Sequence, residues 1–294
     1  METARGRGWY GWLFALPWLL GIAIFYVYPL LSSFYYSFTE FNGFEVDRFV
    51  GLDNYARLLQ DELFWTSVRN TFYYALLAVP TGLVLGLFLA VMLNIKSRAQ
   101  GVYRVIYFIP TLVPIVACGV IWQWLLNAQF GVVNYLLYEI GLPQPSWFSS
   151  EAWAMPSIAL IAQWCVGSGV IVFLAGLQDI PVDYYEAVTI DGGGHFRKFW
   201  DITLPLMSPV ILYHIVLALI GALQQFVLPF IVTGGSGAPA NALLFYNMLL
   251  YRNAFSYFQM GQANAMAWLM FVAVMALTIF INWTSKRWVH YMGE

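Results

Sequence analysis

Uncharged, apolar stretches recur along the chain at residues 12–36, 71–95, 105–138, 152–178, 202–251 and 253–285, and the short segments between them hold nearly all of the charge. A helix needs about 20 apolar residues to cross a bilayer, so each stretch predicts one span, at approximately 12–36, 71–95, 105–126, 154–177, 207–231 and 264–284. Two stretches run longer than one crossing. Their surplus, 132–138 and 240–251, is too short to cross again and is expected to form surface or re-entrant helices. The first stretch exceeds a signal-peptide core of about 7–15 residues. It carries Pro17 and Pro29 and lacks a convincing small-residue cleavage site, so it is expected to stay in the mature protein. The predicted fold class is all-α, a polytopic membrane protein with six transmembrane helices. With no internal repeat and no low-complexity linker, residues 1–294 read as a single domain.

Composition removes the soluble classes. Apolar residues make up 61% and charged residues 10% of the chain, against about 45–50% and 25% in an ordinary soluble domain, so the charges can mark only short loops. A net charge of −2 offers phosphates no general attraction, which argues against nucleic-acid binding. Cys118 and Cys165 each lie inside an apolar stretch and read as small buried residues rather than a disulfide or metal framework.

Placing the loops alternately on two sides puts Arg5, Arg7, Lys96, Arg98, Arg104, Arg197, Lys198, Lys286 and Arg287 on one face, and only Arg48, Arg57, Arg69 and Arg252 on the other. Basic residues collect on the cytoplasmic side of short loops, so both termini are expected to be cytoplasmic. Glu40, Glu45, Asp47, Asp53, Asp61, Glu62, Glu139 and Glu151 then fall outside. Trp9, Trp12, Trp65, Tyr103, Trp147, Trp153, Trp283 and Trp288 stand near the ends of the stretches, where interfacial aromatic belts form.

Catalytic and nucleotide chemistry find little to rest on. The glycine segments 192–198 and 233–237 lack the Gly-Lys-Ser/Thr ending of a phosphate loop. His195, His214 and His290 are scattered over a loop, a span and the C-terminal tail, without the spacing of a metal site. A polytopic enzyme would need a catalytic constellation that the spans do not offer, so no catalytic and no metal-ligating residue is predicted. No predicted span core carries Asp, Glu, Lys or Arg, whereas ion-driven transporters bury such groups as relays. An ATPase-independent channel or secondary transporter therefore stays as the alternative to a transporter powered from elsewhere.

The inner segment 179–205 stands apart as the longest and most charged cytoplasmic loop. Pro181 bars continuation of the fourth span, and Asp183 followed by Glu186 has the spacing of a capping box. Tyr184, Ala187 and Val188 then fall on one small apolar stripe of a short helix, which the glycines from Gly192 onward end. On capping alone this is an ordinary surface helix. The full pattern says more: Glu186-Ala187-Val188, three residues, Gly192, nine residues, Ile202, one residue, Leu204-Pro205. It resembles the EAA loop of permease subunits of binding-protein-dependent ABC importers, with Val188 in place of the usual second Ala. The segments 49–55, 70–72, 107–110 and 173–181 further resemble the MalF-like carbohydrate permeases, so the likeness extends over nearly the whole chain.

That resemblance implies an ABC importer type I permease fold in a bacterial or archaeal inner membrane. It also implies a second permease subunit forming a heterodimer, two cytoplasmic ATPase subunits, an extracytoplasmic solute-binding protein and a sugar or oligosaccharide substrate. ATP and Mg would sit on the partner subunits, leaving this chain without a bound cofactor. The loop 179–205 would carry the coupling helix, with Asp183, Tyr184, Glu186, Ala187, Val188, Asp191 and Gly192 meeting the ATPase. For the sugar path, polar groups with aromatic neighbours inside the spans single out Gln163, Trp164 and Ser168 in span four and Gly221, Gln224 and Gln225 in span five. Gln225 leads, because related permeases bind sugar from this part of span five. Helix packing competes as an explanation for each of these residues. His214 and Gln123 read as packing residues, and Met248, Met266 and Met270 as span filler.

Overall fold

The computed structural model describes residues 7–95 and 98–290; Arg5 and Lys96 of the charge count lie outside them, as do the side chains of Arg7, Trp9 and Asp47. Four helices are long and apolar enough to cross a membrane without a sharp bend: Trp12–Tyr36, Glu62–Asn94, Ser208–Thr233 and Met260–Ser285. Two further spans are each a pair of helices, Gln100–Leu112 with Ile115–Leu125, bent by 98°, and Glu151–Trp164 with Gly167–Asp179, bent by 50°. Counting each pair as one gives six spans. The fold is all-α apart from one antiparallel hairpin, Thr39–Phe41 with Val46–Phe49, among the described residues.

Both bends have a local cause. Val113 precedes Pro114, whose ring disfavours the helical conformation in the residue before it; Val113 is extended, with φ −73° and ψ 126°. Pro114 then starts the next helix without needing an amide. In the fourth span the turn falls at Cys165 and Val166, just before Gly167. The carbonyl of Tyr107 lies so close to Gly167 that any Cβ there would collide with it. Cys165 Sγ lies 3.7 Å from Cys118 Sγ, both as free thiols, Cys118 buried and Cys165 half-buried.

The described residues pack as two compact units, those up to 61 with 250–272, and those from 62 to 249 with those from 273 on. In the first, Asn54 donates its amide to the carbonyls of Ser37 and Thr39, each at 2.9 Å. Tyr55 and Ser37 share a hydroxyl bond of 2.8 Å, and Asp53 pairs with Arg57 one turn on. The motif 49–55 is thereby accounted for as an anchor of the hairpin. Ser33 donates to Asn264 Oδ1 at 2.7 Å, and Phe34 meets Trp268 edge-on.

The second unit is built around Ala90, Leu93, Val170, Phe173, Leu174, Leu177, Met207 and Ile211, which join the second, fourth and fifth spans in one core. Asn70 donates to the carbonyls of Asn241 and Leu244, and Thr71 accepts from the Tyr246 amide. These bonds dock the segment after span five onto span two. Leu243, Leu244 and Phe245 are fully buried there, so this stretch is no surface helix; only Tyr246–Tyr251 of it is α-helical, and it continues as a π-helical turn over Arg252–Ser256. The other surplus stretch forms the helix Val132–Glu139. Asn134 within it accepts from the Trp147 indole at 2.8 Å.

Candidate functional site

Two places in the second unit gather the residues singled out by the sequence. The first is the loop between spans four and five. Ile180 and Pro181 are extended, and the helix Val182–Ile190 follows with Pro181 at its N-cap. The expected capping box is absent: the helix starts one residue before Asp183, and no side chain caps it. Asp183 instead lies inside the first turn, where a carboxylate meets the positive end of the helix dipole. Glu186 is exposed and has no ion pair among the described residues.

The helix ends as the glycines predict. The Gly193 amide donates to the Val188 carbonyl at 2.8 Å and the Gly192 amide to the Thr189 carbonyl at 3.0 Å. Gly192 has φ +77°, so the pair forms a Schellman motif with its left-handed residue at Gly192. A Cβ on Gly192 would meet nothing within 4 Å, whereas one on Gly193 would come within 2.5 Å of Val188 Cγ1 and 2.9 Å of its carbonyl. Gly192 is thus required by backbone conformation, and Gly193 by space.

One side of this helix is tied down and the other is free. Tyr185 packs on the core and shares a 3.0 Å hydroxyl bond with Thr203, while Ile202 and Leu204 pack on the same core. Tyr184 and Ala187 face outward, but Val188 turns halfway in toward the glycine turn. Asp191 is exposed at the helix end. The sequence reading missed Val182 and Ile190, which are 64% and 85% exposed, and Phe196 at 77%. Their spacing was a usable signal, since 182, 186 and 190 fall on one helix face.

The second place is a cavity of about 230 Å³ between spans two, four and five. It brings Gln163, Ser168, Gly221 and Gln225 together, as the polar pattern predicts, and adds Tyr74 and His214, which it did not. Trp164 and Gln224 do not line it. Trp164 packs edge-on against Trp122 at 5.8 Å. The Gln224 carbonyl accepts from the Asn247 amide at 2.9 Å, where the fifth span is unwound between Leu223 and Val227.

Hydrogen bonding divides these groups. Gln225 donates to the Tyr74 hydroxyl at 3.2 Å and accepts from the Phe226 amide at 3.0 Å, so it both lines the cavity and holds the unwound turn. Backbone unwound at membrane depth must find such partners. Gln163 donates to the Ala78 carbonyl at 3.2 Å, yet its Oε1 is buried without a partner. The His214 ring sits where a side chain on Gly169 would be, since a Cβ there would reach within 2.6 Å of its Cε1. Phe173 covers the ring at 4.6 Å. Gln123 donates to the carbonyls of Ile231 and Val232 and thus ties two spans together. Together these groups offer donors and acceptors to a neutral, hydroxyl-rich molecule; among the described residues, no Asp, Glu, Lys or Arg lines the cavity.

Comparison with known proteins adds to this geometry. The sequence model of the family described as binding-protein-dependent transport system inner membrane component matches residues 82–288. A probable ABC transporter permease protein, YesP of Bacillus subtilis, is 37% identical over 97% of this chain and 93% of its own. The trehalose/maltose transport system permease protein MalF of Thermococcus litoralis is 34% identical over 92% and 91%. Among solved structures, a chain of a bacterial alginate ABC transporter in complex with an alginate pentasaccharide-bound periplasmic protein superposes with a TM-score of 0.86. That pair shares 23% identity and 97% coverage of each chain.

Proposed function

The chain belongs to the binding-protein-dependent transport system inner membrane components, and from that membership we propose that it is one of two permease subunits of an ATP-driven carbohydrate importer. Both its termini are cytoplasmic in this reading, on the strength of the Lys and Arg asymmetry, and the loop 179–205 faces the cytoplasm. Two ATPase subunits there bind ATP and Mg, while a solute-binding protein delivers sugar from the other side.

The observation that carries the proposal is the build of the loop. Its helix Val182–Ile190 presents Val182, Asp183, Tyr184, Glu186, Ala187 and Ile190 outward, a short, largely apolar surface with two carboxylates, suited to a groove on another subunit. Behind it, Tyr185, Ile202 and Leu204 join the helix to the core of spans two, four and five. A displacement of the helix is therefore carried into the spans that line the cavity, because packed side chains deform little. Such a helix is a lever with its handle exposed.

For the cargo, the polar side chains of Tyr74, Gln163, Ser168 and Gln225 in a cavity lined by no Asp, Glu, Lys or Arg among the described residues favour a neutral molecule rich in hydroxyls. At about 230 Å³ the cavity is smaller than the 300–1,000 Å³ usual for ligand sites. In the proposed heterodimer the second permease completes it. Gln163, Ser168, Gln225, Tyr74 and His214 are this subunit's share, and Trp164 and Gln224 support it from outside the lining.

Reconstitution tests the reading. The chain alone in proteoliposomes is expected neither to accumulate sugar nor to hydrolyse ATP. With the second permease, the ATPase subunits and a loaded binding protein, uptake should appear and depend on ATP. Sugar uptake by the lone chain would instead establish the channel or secondary-transporter alternative.

A further inference from the structure

Arg104 lies in the helix Gln100–Phe108, one turn from its start. Its Nε is buried without a hydrogen-bond partner, and no ion pair among the described residues involves it. A guanidinium cannot shed its proton, so a desolvated N–H without an acceptor is a lasting cost. Arg104 lines an open trench of about 350 Å³ outside the cavity described above. The trench walls are otherwise largely apolar, with Leu93, Val105, Phe108, Val170, Ile171 and Leu174 along them.

The polarity of the trench has a direction. Gln178 is one residue from the end of the helix Gly167–Asp179, and Arg104 is near the start of the facing helix, so both stand at the loop end. Tyr107, Phe108 and Gly167 line the part deeper in the spans. A cationic donor and an amide at one end of an apolar channel match an amphiphile with an anionic head. A sugar fits poorly, having no apolar tail to cover Ile171 and Val105, which are 47% and 57% exposed.

We propose that the trench binds one anionic phospholipid of the cytoplasmic leaflet, its phosphate accepting from Arg104 and Gln178 and an acyl chain lying along Val105, Phe108, Ile171 and Leu174. The leaflet assignment rests on the orientation proposed above. Anionic lipids of that leaflet are drawn to basic residues near the surface, and a guanidinium binds phosphate oxygens in a two-pronged fashion.

The test uses the intact importer complex, exchanged into nanodiscs of phosphatidylglycerol and phosphatidylcholine with identical acyl chains, and then released for native mass spectrometry. Retention of phosphatidylglycerol over phosphatidylcholine by about fivefold or more is expected, the effect of about one basic group at the surface. R104Q should abolish the preference and R104K should keep part of it, while I171W should lower retention of both lipids by filling the trench. Millimolar inorganic phosphate should not displace the bound lipid. Equal retention of both lipids by the wild-type complex, or an undiminished preference in R104Q, would overturn the proposal. Should R104Q fail to assemble, unchanged lipid retention in I171W overturns it as well. So does cross-linking of a cysteine at position 171 to the second permease, which would put protein in the lipid's place. The orientation is read separately, from the side on which a cysteine at position 198 is labelled.

Discussion

Gly192→Val is expected to bring sugar uptake close to zero while the protein still reaches the membrane at its normal level. Gly192 holds φ +77°, where a β-branched residue is a steric outlier, and left-handed backbone costs an L-residue about 1–2 kcal/mol. Since a Cβ at this position meets nothing within 4 Å, the defect is one of backbone direction alone. The helix Val182–Ile190 would leave its turn at a different angle, misaligning it with respect to the ATPase. A graded series isolates that cause: Gly192→Asn should retain most transport because Asn tolerates this conformation, and Gly192→Ala should fall between. Gly193→Ala should resemble Gly192→Val for a different reason, the collision with Val188. Glu186→Ala should leave the fold untouched, since its side chain caps nothing, and lose only the contact proposed for it with the ATPase. Uptake, membrane level and ATPase copurification decide the matter together. Wild-type transport in Gly192→Val and Glu186→Ala would remove the loop from the coupling path.

The second large effect is expected at Gly221. It lines the cavity, and a Cβ there meets nothing within 4 Å, so Gly221→Leu should add bulk to the cavity without disturbing its walls. Uptake should fall at least about tenfold, while a loaded binding protein still stimulates ATP hydrolysis. Gln163→Leu should act more gently. Losing one acceptor for a desolvated hydroxyl costs about 1–3 kcal/mol, which would raise the half-saturating sugar concentration about tenfold. Gln225→Ala is a poorer probe than the sequence suggested, because its side chain also satisfies the Phe226 amide and its loss should weaken the fold along with the site. Undiminished uptake in Gly221→Leu would return the cavity to the packing of three helices.

Apolar run length carried the span count, and the spacing from Glu186 to Pro205 carried the loop, because both are local properties of the chain. The bends were less legible. Pro110 and Pro114 could have announced the one in span three, but an all-apolar run gives no periodicity to break. The bend in span four has no proline after Pro156; it lies beside Gly167, whose constraint is a carbonyl sixty residues away in sequence. Separation in sequence also hid His214. A lone histidine in an apolar run reads as packing until Gly169 is seen to make room for its ring beside the cavity. Gln224 and Gln225 are chemically alike neighbours, and the unwinding after Leu223 sends their side chains to different surroundings. The capping box failed on two residues of register: Pro181, not Asp183, already supplies the extended residue that starts the helix.

Site-directed cross-linking tests the coupling claim most directly. Ile190 is 85% exposed at the end of the loop helix, and the native Cys118 and Cys165 lie in the spans, so a cysteine at position 190 can be addressed with a short bifunctional reagent in native membranes. The predicted result is an adduct containing the ATPase subunit, with a yield that changes when ATP is added. A position 190 that labels freely from the cytoplasm and never joins the ATPase, in a complex that still imports sugar, would contradict the account.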